Sequence, residues 1–294
     1  MRRGRKLISH RQVKAKRRSL LEIHIAVLFF GLAGLFGKLV FLPSTIIVLG
    51  RVFFATFFLS LVLVYVKQGI KLRQNQDYFF MALMGIILAV HWAAFFQAIQ
   101  VSTVAIGLLT FSTFPVFVTF LEPIFFRERL DLKDILVAFV AVLGVGLVIE
   151  EFEIRNSMTR GAIWGIVSGF TFALLSIMNR KYVKKYSSLV VAFYQDSIAT
   201  VVLLPFLFVA APVFRLTDIF LLSILGVVFT GVAHTLFING LGNVKAQKAS
   251  IIASLEPVYG IVAAILLLGA IPTLRVIIGG VIILGAAFFA TVKH

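Results

Sequence analysis

Ten apolar stretches of about twenty residues each, separated by short and mostly basic segments, leave this chain few ways to fold. They lie at 20–40, 44–66, 77–98, 103–124, 132–150, 160–179, 188–211, 217–238, 248–268 and 272–292. A helix of about 20 apolar residues crosses the hydrocarbon core of a bilayer. In hydrocarbon each backbone N–H and C=O must be satisfied within the segment, which favours helices over open strands. Hydrophobic residues make up 61% of the chain, more than a soluble domain hides. The expected fold class is therefore an all-α integral membrane protein with ten transmembrane helices. The absence of cysteine excludes disulfides, thiolate metal sites and a cysteine nucleophile.

A net charge of +16 would suggest nucleic acid in a soluble protein. Here the charge sits between the apolar runs, so no nucleic-acid partner is expected. Let the basic N-terminus lie inside and each run cross once. The inside segments then hold 22 of the 28 Lys and Arg, and the outside segments hold Arg155, Arg160, Arg215 and Arg275. Lys38 and Arg51 fall within runs. Such a bias sets orientation and predicts both termini in the cytoplasm, in a cell or inner membrane. The acidic loop with Glu150, Glu151 and Glu153 then lies outside. Residues 1–19 read as a basic cytoplasmic tail, with nine Lys or Arg and no acid. The run after it is too long, and lacks the cleavage site, for a signal peptide. Contact of the tail with anionic lipid follows as a by-product, at about 1 kcal/mol per basic residue near the surface.

The chain divides into a five-helix unit at 20–150 and another at 160–294. With an odd number of crossings per unit, the second enters from the opposite side, giving inverted repeats. An ungapped offset of 142 residues pairs Phe95 with Phe237, Ser112 with Ser254, Pro115 with Pro257, Val116 with Val258 and Lys133 with Arg275. The ninth run carries Ser254-Leu255-Glu256-Pro257-Val258, which places a carboxylate and a helix-breaking proline inside apolar sequence. An ionisable group at such depth faces protein or water rather than lipid, and proline removes a backbone donor. Pro115 and Pro257 are the expected hinges. Small residues recur at Gly161, Gly165, Gly169 and Ala173, a stripe that lets another backbone approach closely.

These motifs give the chain a resemblance. Thr113-Phe114-Pro115-Val116-Phe117, Arg127-Glu128-Arg129-Leu130 and Gly144 in the first unit are similar to the repeat of the EamA family of the drug/metabolite transporter superfamily. So are Ser254-Leu255-Glu256-Pro257-Val258, Leu267-Leu268-Gly269-Ala270-Ile271-Pro272-Thr273 and Gly279-Gly280 in the second. Arg51 stands where that family often has arginine. The glutamate that the family carries after its glycine is kept as Glu128 but is Ala270 in the second unit. The resemblance implies a bundle of inverted repeats that moves small metabolites, often amino acids outward.

Candidate substrate-binding residues are the polar and aromatic groups in the runs. Glu256 can hold a proton or a substrate ammonium, or tie down backbone freed by Pro257. His91, Trp92 and Gln97 in the third run match Gln97 to Asn239 and Trp92 to His234 in the eighth, as two walls of one cavity. The histidines can serve in proton coupling or simply pack against a helix carbonyl. Gln97 and Asn239 can bond a zwitterion or join helices. Trp164 and Phe172 can stack on a solute or fill space. Tyr194, Gln195 and Asp196 form a polar cluster, where Asp196 either neutralises Arg51 or reaches an interface. Lys38 is expected to snorkel, Asn179 to end its helix, and Glu122 to pair with Arg127 or Arg129.

No catalytic, phosphate-cradling or metal-binding motif is present, and no cofactor is expected. The reading is a secondary transporter of a small molecule, an amino acid or amino-acid-derived compound moving outward, working as a monomer or homodimer. The alternatives are a larger cationic or nucleotide-like solute such as S-adenosylmethionine, or a membrane-embedded enzyme. The last requires His24, His91 and His234 at one depth.

Overall fold

The computed structural model describes residues 2–126, 132–149, 153 and 155–292. Residues 127–130, Glu150 and Glu151, on which part of the sequence reading rests, lie outside them. All regular elements among the described residues are helical. In chain order they are α1 (Arg2–Ala33), α2 (Phe36–Leu39), α3 (Ser44–Tyr65), α4 (Asn75–Val101), α5 (Val104–Phe111), α6 (Phe114–Phe126), α7 (Leu132–Val148), α8 (Ser157–Tyr182), α9 (Ser188–Leu203), α10 (Pro205–Ala210) and α11 (Leu216–Gly226). A π-helical segment, Val227–Val232, leads into α12 (Ala233–Leu241), followed by α13 (Ala246–Ala253), α14 (Glu256–Leu268) and α15 (Leu274–Val292).

Among the described residues, eight helices or helix pairs are long and apolar enough to cross a bilayer. The fifth and tenth apolar runs form α7 and α15, whose apolar stretches, Leu136–Val148 and Leu274–Ala286, are shorter. These two pack along one another. A Cβ on Gly144 would stand 3.1 Å from the Gly279 carbonyl oxygen, and one on Gly279 only 2.8 Å from that of Gly144. Glycine at both positions is what lets the two backbones meet.

Side-chain polarity follows helix face. Along α3, Arg51, Val52, Ala55, Leu59 and Leu63 are buried, whereas Phe53, Phe57, Leu61 and Val64 are exposed at helical spacing. An apolar outer face is stable against lipid and not against water.

The two broken helices coincide under the offset of 142. Helices α5 and α13 begin and end at matching positions, and so do α6 and α14. In each break the serine hydroxyl donates to a carbonyl one turn back at 2.9 Å, Ser112 to Leu108 and Ser254 to Ser250. The backbone bonds Thr113 N–H to Thr110 O and Leu255 N–H to Ile252 O, at 3.2 and 3.0 Å, match as well. Neither proline bends a continuous helix. Each occupies the first turn of the second segment, where its missing N–H has no intrahelical partner to lose. The expected kink is thus a break two to three residues earlier, at Ser112-Thr113 and Ser254-Leu255.

Helix contacts also exchange between halves. Helix α4 packs on α8 as α12 packs on α1; α6 packs on α8 as α14 packs on α1. The Gly161, Gly165, Gly169 stripe of α8 is the surface against which α5 and the first break rest.

Candidate functional site

The broken helices and α3, α4, α8 and α12 converge on a small central cavity. Its volume is about 20 Å³, room for about one water molecule. Arg51, His91, Trp92, Phe172, Asn179, His234 and Glu256 line it, with Phe30, Phe95 and Phe111 among the apolar groups. A larger solute requires the helices to part.

Arg51 dominates the site. It is 2% exposed. Its Nε donates to Thr230 Oγ1 at 2.9 Å and its Nη2 to the Phe229 carbonyl at 3.4 Å. The guanidinium carbon lies 3.8 Å from the centre of the Trp92 ring, where a cation gains from the negative ring face. The π-helical turn supplies the acceptors. Widened turns leave carbonyls without their usual i−4 partner, and the Thr230 hydroxyl donates to one of the turn before, Leu225 O, at 2.8 Å.

Glu256 opens α14 beside the second break and is 3% exposed. The Arg51 guanidinium is within electrostatic reach of both Glu256 and Asp196. His91 Nδ1 lies 3.0 Å from both the carbonyl and hydroxyl oxygens of Ser168, and its ring packs on Phe172 at 5.2 Å between centroids. Trp92 meets His234 edge-on at 5.4 Å. Behind His234, Asp196 is fully buried on α9, with its Oδ1 3.9 Å from His234 Nδ1.

Of the eight candidate residues, the cavity brings together His91, Trp92, Phe172, His234 and Glu256. Gln97, Trp164 and Asn239 stand elsewhere. Gln97 accepts from Ser44 at 2.7 Å. Asn239 donates to Glu22 at 2.8 Å. Trp164 is 42% exposed on the outer face of α8. Gln97 and Asn239 belong to opposite ends of the bundle. Asn239 neighbours Ser188, at the end where Asp77 opens α4 and bonds Lys185 and Tyr186. Gln97 is twenty residues further along α4, about 30 Å at 1.5 Å per residue.

The remaining polar groups are placed as follows. Asp196 and Arg51 are both buried and lie within electrostatic reach of one another. Lys38 donates to the carbonyls of Gln100 and Ser102, acceptors that the C-terminal end of a helix leaves open. Asn179 lines the cavity and accepts from Gln195 at 2.7 Å rather than merely ending its helix. Glu122 pairs with Arg180 across to α8; Arg127 and Arg129, its expected partners, lie outside the described residues. His24 is exposed, away from His91 and His234, and among the described residues no three His, Asp or Glu gather as metal ligands.

The helices are tied together differently at the two ends of the bundle. Towards the N-terminal end, carboxylates bridge helices: Glu22 to Asn239, Asp77 to Lys185, and Glu122 to Arg180. At the other end, amides and cations meet neutral acceptors: Gln100 meets Leu42 O, Lys38 meets Ser102 O, and Arg275 meets Leu147 O and Ile149 O.

The sequence matches known proteins along its length. An uncharacterized transporter of Archaeoglobus fulgidus is 32% identical over 199 residues, covering 67% of this chain and 71% of that one. An uncharacterized transporter of Bacillus subtilis is 24% identical and covers 96% and 92%. A protein of Rickettsia bellii named S-adenosylmethionine uptake transporter is 25% identical, covering 81% of each. A crystal structure of 16% identity superposes with a TM-score of 0.68 over 94% of this chain and 97% of that one, a likeness of fold. The pattern of the EamA-like transporter family matches twice, at residues 18–150 and 159–292. With both halves matched and a polar centre inside apolar helices, this membrane protein is a transporter of the EamA-like family.

Proposed function

We propose that the protein is a secondary transporter of amino acids or amino-acid-derived zwitterions, working by alternating access. The observation that carries this reading is that Arg51 and Glu256 line one cavity. A guanidinium suits a carboxylate, and a carboxylate suits an ammonium. Solutes bearing both groups on one carbon match such a pair, while the surrounding rings accept an apolar side chain. Ten helices cross, α7 and α15 included, as two inverted five-helix units. Both termini lie in the cytoplasm of a cell or inner membrane. The charge bias, the coincident breaks and the placement of Gln97 and Asn239 at opposite ends support that arrangement. The breaks before Pro115 and Pro257 serve as the flexible points, and transport of amino acids runs outward.

A second reading, S-adenosylmethionine as the solute, is favoured by the names of the Rickettsia relatives. That solute is itself an amino-acid zwitterion. Its sulfonium and adenine suit the Trp92, Phe111 and Phe172 faces through cation–π contact and stacking.

The test is counterflow in proteoliposomes with labelled L-amino acids and, separately, labelled S-adenosylmethionine. Accumulation of one class, lost in both Arg51→Gln and Glu256→Gln, supports the reading. Movement of neither class, or full activity in both variants, overturns it.

A further inference from the structure

We propose that Asp196 and His234 together form a proton-binding site behind the central cavity, loaded when a solute carboxylate takes over Arg51. The second clause rests on the substrate reading above; the first stands without it.

Asp196 is fully buried on α9, and among the described residues neither carboxyl oxygen has a hydrogen-bond partner. An ionised carboxylate left so, without donors and away from water, is costly. His234 Nδ1 also lacks a partner and stands 3.9 Å from Asp196 Oδ1. That gap is too long for a hydrogen bond, yet a small rotation of either side chain closes it. One proton shared across the gap satisfies both groups. The ionisable groups that face this pair are Arg51 from α3, His91 from α4 and, beyond Arg51, Glu256 from α14. His91 is tied to Ser168. Arg51 donates to Thr230 and Phe229 and faces Asp196 as a charge at a distance.

Loading follows from charge balance. While the cavity is empty, Arg51 serves as counter-charge to the buried carboxylates. A solute carboxylate on Arg51 adds a negative charge inside a medium of low dielectric, where imbalance is expensive. A proton from water at the open side then neutralises Asp196 or charges His234, and no other bond is made or broken. His234 lines the cavity and Asp196 does not. An imidazole can receive a proton on one ring nitrogen and release one from the other, so His234 is the route in and out. Binding linkage is reciprocal, so bound proton and bound solute each strengthen the other's hold.

Trp92 provides a readout independent of transport. It meets His234 edge-on, and a protonated imidazole quenches indole emission. The chain has two tryptophans, so Trp164→Phe leaves Trp92 as the sole reporter. In lipid nanodiscs its emission is titrated from pH 4.5 to 9, alone and with 1 mM labelled-panel amino acids or S-adenosylmethionine. The expected result is one titration step, lost in Asp196→Asn and in His234→Gln, and restored in Asp196→Glu, which retains the carboxyl and controls for folding. A solute should move the step up by about one pH unit, a tenfold coupling. Absence of the step, or its survival in Asp196→Asn, overturns the proton site. A solute that changes Trp92 emission but leaves the step in place overturns the loading. If no solute alters Trp92 at all, the substrate reading fails, while a step lost in Asp196→Asn still supports the proton site.

Discussion

The breaks at Ser112 and Ser254 share their backbone and differ in what they carry. Both have a serine bonded one turn back, a proline in the next turn and the same helix limits at an offset of 142. At the first residue of the following helix the first break has Phe114 and the second has Glu256. Phe114 is 1% exposed, stacked on Phe111 at 5.2 Å and edge-on to Phe172 at 5.0 Å. Glu256 sits at the cavity beside Arg51. The same local fold therefore serves as a packed wall in one half and as a charged wall in the other. The break is a scaffold feature, and the chemistry comes from the residue placed on it.

The comparison is sharpest at Glu256. Glu256→Gln is expected to lower zwitterion transport by about 100-fold, since truncating one member of a buried charged contact costs about 2–5 kcal/mol. Melting temperature in detergent should change little, and counterflow of labelled solute reads the loss. Phe114→Ala should do the reverse. It removes ring packing and is expected to cost about 3–5 kcal/mol of stability, read by thermal unfolding, with transport per folded molecule retained. Equal transport defects in the two would break the distinction.

Each break is also pressed by one glycine. A Cβ at Gly169 would stand 2.7 Å from Phe111 O, and one at Gly31 only 2.6 Å from Glu256 O. Both contacts are with backbone, which cannot turn away. Gly169→Ala and Gly31→Ala should each destabilise by about 1–3 kcal/mol, but only Gly31→Ala should raise the solute concentration for half-maximal transport, because it displaces Glu256. The smallest effect belongs to the serines. Ser112→Ala and Ser254→Ala should each cost about 1 kcal/mol. Unequal losses would show that the two breaks are not held alike.

Much of this was legible in the sequence. The apolar runs placed the helices, because hydrocarbon leaves a chain little choice. The offset found the two breaks, because Ser112 and Pro115 recur as Ser254 and Pro257. Depth was harder. Trp92 and His234 match under the offset and do meet, whereas Gln97 and Asn239, only five residues on, go to opposite ends. A matched pair approaches only where its two helices cross. Arg51 was visible as a charge within a run, but its partners, the Thr230 hydroxyl and Phe229 carbonyl, exist only because of a widened turn. No apolar pattern announces a π turn in Val227–Val232. Asn179 looked terminal because basic residues follow it, although burial is decided by the neighbouring helices.

That widened turn leaves a trace in the numbering. Asp77 and Asp218 both stand in the first turn of their helices, each with its N–H bonded at 3.0 Å to the residue three before it, Gln74 and Arg215. They are 141 positions apart, while Trp92 and His234, beyond the turn, are 142 apart. The second half thus carries one amino acid that the first lacks, absorbed within Val227–Val232. In a regular helix one added residue rotates everything downstream by about 100°; the widened turn takes it up instead, and presents a carbonyl to a guanidinium. Two sister copies can diverge in role without any new helix, by miscounting once.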